Sequence, residues 1–90
     1  MLGAYNLTKN QVKRCERVMK RGQIQFNIYM APELIVDMAY QMLYSVESVK
    51  ETEAVCQFLL SLGESMDEIR WRILTRVHSN YWIPNMLNVD

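Results

Sequence analysis

The sequence has little of what most catalytic sites are built from. Its single histidine, His78, has no Cys, Asp or Glu at metal-ligand spacing, so no metal site is expected. The three glycines are scattered, which excludes a glycine-rich phosphate loop and with it the usual nucleotide cofactor. Cys15 and Cys56 are far apart and make no redox or metal pair. Each falls on the apolar stripe of its own helix, so both are expected as reduced core thiols of a cytoplasmic protein. The Asn6-Leu7-Thr8 sequon is then incidental. No nucleophile has a base beside it, and the carboxylates sit where helix starts need them. An enzyme is not expected, and neither is a cofactor. No apolar run has the length of a membrane helix, and Met1-Leu2-Gly3-Ala4 lacks the basic and apolar regions of a signal peptide.

What is present is apolar content: half of the 90 residues, including seven Met, five Tyr and two Trp. One domain spanning residues 1–90 is expected, small enough that an interface with another copy would add useful burial. The net charge is zero, yet the charges are segregated. Residues 1–31 hold six cations against Glu16 alone, whereas residues 32–69 hold Lys50 against eight carboxylates. That polarity suits an anionic partner at one end, or the acidic end of another copy.

The fold class read from the pattern is mostly α, with about four helices and one short β-strand. The first helix is expected over 9–21, with Thr8 and Gln11 as a capping box and Gly22 as the residue that ends it. Its apolar face carries Val12, Cys15 and Met19, and Lys9, Lys13, Arg14, Arg17, Lys20 and Arg21 share the opposite arc. Pro32 opens a second helix over 32–46, with Leu34, Ile35, Met38, Ala39, Met42, Leu43 and Val46 facing inward. Tyr40 and Tyr44 lie on its other side, as a contact surface or packed beneath a neighbour. Ser48 caps a central helix over 49–62 and Ser65 caps a fourth over 66–79. Within the fourth stripe Arg70 calls for a carboxylate, a snorkelling route or a ligand. The apolar tail 80–90 is expected to pack on the domain or on a partner.

Between the first two helices, Ile24, Phe26, Ile28 and Met30 alternate with Gln23, Gln25, Asn27 and Tyr29, the period of a half-buried strand over 23–30. A lone strand leaves backbone donors and acceptors unpaired, so pairing with a second subunit is expected. The order of strand, Pro32-Glu33, helix and Ser48-Val49 capped helix, over residues 23–62, resembles the ribbon-helix-helix family of DNA-binding transcription regulators. The resemblance implies a homodimer whose paired strands enter the major groove. By position it would turn Phe26 and Ile28 inward and Gln25, Asn27 and Tyr29 towards bases, where Gln and Asn amides pair with adenine edges. The helix start at Ser48 to Lys50 would clasp a phosphate, and the basic helix would lie on flanking phosphates. A helix-turn-helix around Leu62-Gly63-Glu64-Ser65 is the poorer fit, since Glu64, Asp67 and Glu68 would meet the DNA backbone. The other class is a protein-interaction module or inhibitor that docks on an acidic protein surface, or on a partner's nucleic-acid-binding groove, with the strand adding to the partner's sheet.

Overall fold

The computed structural model describes residues 2–75. Among them are a short 3₁₀ turn (Leu2–Ala4) and four helices: α1 (Lys9–Gly22), α2 (Pro32–Met42), α3 (Val49–Ser61) and α4 (Met66–Leu74). The helical class is as expected. The expected strand is not there: no strand exists among the described residues. His78, the continuation of the fourth helix to 79 and the tail 80–90 lie outside the described residues.

Thr8 starts α1 with a full capping box. Its hydroxyl accepts the Gln11 N–H at 3.1 Å and its own N–H donates to Gln11 Oε1 at 3.0 Å. The end of α1 differs from the sequence reading in one respect. The left-handed residue is Gln23, at φ 56°, not Gly22. Gly22 serves a different purpose, because a Cβ there would lie 2.7 Å from Ser45 Oγ. Its missing side chain lets the end of α1 approach the loop between α2 and α3.

Ile24 to Asn27 belong to no helix or strand, and the expected alternation of burial survives for these four residues. Ile24 and Phe26 are half-buried while Gln25 and Asn27 are exposed. The Phe26 ring meets the Phe58 edge with centroids 5.7 Å apart. At Asn27 the alternation stops. Its side-chain oxygen accepts the Tyr29 N–H at 2.8 Å, and its carbonyl accepts the Met30 N–H at 3.3 Å. Asparagine competes with a strand ladder in this way, by bonding the backbone two residues on. The turn throws out Ile28, expected inward, leaving it 82% exposed beside Tyr29 at 89%. Without a ladder to complete, the segment no longer demands a second copy.

α2 ends at Met42 rather than at 46. Tyr44 and Ser45 bond back only three residues, tightening the last turn. The Ser45 carbonyl takes an Arg21 guanidinium donor instead of a helical one. Leu34, expected to face inward, is half-exposed. Tyr40 is fully buried, so for this tyrosine the packing alternative holds. Its hydroxyl donates to Glu64 Oε1 at 2.8 Å, and the Arg72 guanidinium lies 4.3 Å from its ring centroid.

α3 is the central helix, touching all three others. Ala54, Val55, Phe58 and Leu59 are sealed from solvent. Phe58 gathers Tyr5 from the amino-terminal segment and Phe26 from the connecting segment, both edge-on. Ser48 Oγ caps the helix by accepting the Glu51 N–H at 3.1 Å. The helix stops at Gly63, whose φ of 98° favours glycine, with Glu64 N–H returning to the Leu59 carbonyl at 3.1 Å. Ser65 then caps α4 through the Glu68 N–H. Ile69 and Ile73 bury its inner face. Arg70 is exposed, so water solvates its charge and the expected need for a buried partner disappears.

Both cysteines are buried and free. Burial, with minor help from neighbouring glutamates, pushes Cys15 up to about 12 and Cys56 to about 11. They are inert core thiols, as the sequence indicated.

Candidate anion-binding face

At about 100° per residue, Lys9, Lys13, Arg14, Arg17, Lys20 and Arg21 fall within about 140° of α1's circumference. Cys15 and Val18 bury the opposite side. The apolar residues had to face the core, and that requirement alone gathers the cations outward. Lys9, Lys13, Arg17 and Lys20 are exposed and Arg14 is half-buried. From Lys9 to Lys20 the stripe runs about 16 Å along the helix axis. No apolar residue interrupts it. The first turn of α1 contains no acid and opens on Lys9, against the preference of a helix amino terminus for negative charge. A local rule broken at an exposed position points to a role other than stability.

Arg21 leaves this set. Its guanidinium forms a two-pronged pair with Glu51, Nη1 to Oε1 at 2.8 Å and Nη2 to Oε2 at 3.1 Å. Glu47 Oε1 stands 3.2 Å from Nη2. The Glu51 side chain is 8% exposed and also accepts the Glu47 N–H at 2.8 Å. Arg17 Nε lies 3.9 Å from Glu51 Oε2, but its side chain remains 59% exposed. The Arg21 hydrogen bond is the main reason the Glu51 carboxyl sits below its ordinary range, outweighing burial, which acts the other way. The same bond raises Arg21. Arg21 thus fastens α1 to the start of α3.

The same carboxylate brings negative charge to the helix start where a phosphate clasp was expected, at Ser48 to Lys50. Glu51 N–H is bonded to Ser48 Oγ, and the Glu51 carboxylate accepts the Glu47 N–H just before the cap. Of the residues expected to read bases, Gln25 is exposed, but Asn27 holds its oxygen in the turn. Tyr29 projects from the turn rather than from a ribbon. At the α3–α4 turn, Glu64 holds Tyr40 and Glu68 holds Arg72 at 3.0 Å, so the acids of that turn serve packing between α2 and α4. The sequence reading did not single out Glu51, whose side chain the structure buries. The available signal was the pairing of a cation-rich helix end with a carboxylate at a helix's first turn.

No group of three or more metal-ligating side chains occurs among the described residues. None of their helices is long and apolar enough to cross a membrane. Comparison with protein-family models, with curated proteins and with solved structures finds no match.

Proposed function

We propose that the protein is a non-catalytic DNA-binding regulator that lays the basic face of α1 on the phosphate backbone. The observation that carries this reading is a stripe of exposed cations with no apolar residue in it. A protein interface would have an apolar centre with aromatic or aliphatic anchors. Phosphates need only cations at intervals. Such contacts position a polynucleotide without reading its sequence. The ribbon is not part of the proposal, because the segment expected to form it contains no strand and runs into a turn.

A salt series on mixed-sequence DNA tests the reading. If the four exposed cations each neutralise one duplex phosphate, log Kd changes with log salt at a slope of about 3.6. Affinity then falls ~150-fold between about 50 and about 200 mM salt. Neutralising Lys13, Arg17 and Lys20 together weakens binding to every sequence alike. Undetectable binding at low salt sinks the proposal.

One observation favours docking on a protein partner instead, namely the adjacent exposure of Ile28 and Tyr29 at a turn fixed by Asn27. A tyrosine beside an aliphatic residue is a common interface anchor. That reading predicts that Ile28→Ser with Tyr29→Ser abolishes capture of one defined protein partner while the salt-dependent DNA binding stays absent.

A further inference from the structure

The amino-terminal segment does not close on α1 along its whole length. Between them is an open depression of about 460 Å³, lined by Gly3, Leu7, Lys9, Val12, Lys13 and Glu16. The four residues from α1 follow i, i+3, i+4, i+7 spacing, so they occupy one face over consecutive turns. Leu7 and Val12 are half-buried against the core and give the depression an aliphatic wall. Lys9 and Lys13 are exposed and belong to the cation stripe as well. The depression therefore opens directly beside the place proposed for phosphates.

We infer that this depression takes an unpaired nucleobase of a polynucleotide whose phosphates lie along α1, so that single strands are the preferred ligand. The inference rests on the function proposed above. A base has two apolar faces and is tethered within one sugar of a phosphate, which matches an aliphatic wall under a lysine rim. The volume lies within the range of small-ligand pockets. Glu16, exposed at the edge, is an acceptor for an exocyclic amino group. A duplex keeps its bases stacked and would have to extrude one, whereas a single strand presents them already free.

Gly3 supplies the test. A Cβ built there meets nothing within 4 Å, and its φ is outside the left-handed region. Gly3→Leu therefore adds bulk on the wall of the depression without displacing the fold, which thermal melting of the variant checks. The probes are a short mixed-sequence DNA strand and the same strand as a duplex, followed by fluorescence anisotropy across one shared salt series. Wild type is expected to bind the single strand about tenfold more tightly, the order expected if roughly 55 Å² of apolar base and side-chain surface is buried at about 25 cal/mol/Å². Gly3→Leu, folded as wild type, is expected to lose that preference and keep its salt dependence. Equal wild-type affinity for the two probes, or an undiminished preference in Gly3→Leu, overturns this inference and leaves the proposed function standing. Failure to bind either probe overturns both.

Discussion

Replacing Glu51 by glutamine removes one negative charge at nearly constant volume from the point where α1 meets α3. In the native protein that carboxylate receives both arms of Arg21 and the Glu47 N–H. An amide has one acceptor oxygen, so its NH₂ must face a donor where the second carboxylate oxygen stood. Hydrogen bonds to charged groups contribute about 1.5–3 kcal/mol each, and the partly exposed geometry favours a net loss near the middle of that range for the whole substitution, about 2 kcal/mol. For a domain of this size that loss lowers Tm by about 8–16 °C. The pH dependence gives a second reading. Because the folded Glu51 carboxyl titrates below its ordinary value of 4.5, its stabilisation is present above that value and disappears as pH falls through the folded one. Wild type should therefore lose more stability than Glu51→Gln on acidification from neutral pH to about pH 3. Circular dichroism melts of both proteins across that range measure the difference. A Tm within about 2 °C of wild type at neutral pH, together with parallel acid profiles, refutes the assignment of Glu51 as a structural anchor.

Gly63→Ala forces a Cβ into a left-handed backbone and should cost about 1–2 kcal/mol, read as an earlier denaturant midpoint with an unchanged slope. Gly22→Ala should destabilise for a different reason, contact with Ser45, and the additional change Ser45→Gly should restore part of the loss. Phe58→Ala removes the ring on which Tyr5 and Phe26 both lean and should cost about 3–5 kcal/mol, enough to show as broad or absent cooperative melting. Cys15 and Cys56, with thiols pushed up to about 12 and about 11, should react with a disulfide reagent at neutral pH only as fast as the protein opens. Rapid labelling of the native protein would contradict their burial.

Helix positions were legible because they depend on neighbours in sequence. Thr8, Ser48 and Ser65 each cap the helix that follows, and the three starts agree with the sequence reading at Lys9, Val49 and Met66. Pro32 marks the fourth start equally well. The strand failed for an identifiable reason. Alternation measures which side chains prefer burial, and Ile24 and Phe26 did obtain it, but a ladder also needs a second backbone. Asn27 supplied a local hydrogen bond in its place.

The cation stripe illustrates the same division. Its arc on α1 follows from helical period, so Lys9, Lys13, Arg17 and Lys20 could be placed outward from the sequence alone. Which of the six cations remain available could not. Arg21 and Glu51 are separated by thirty positions, and only the packing of α1 on α3 brings them to 2.8 Å. Sequence fixes what is periodic or adjacent, because those relations act through a few bonds of chain. Pairing between remote charges, the burial of Tyr40 and the hollow beside Leu7 and Val12 depend on how whole helices meet, and only the tertiary structure decided them.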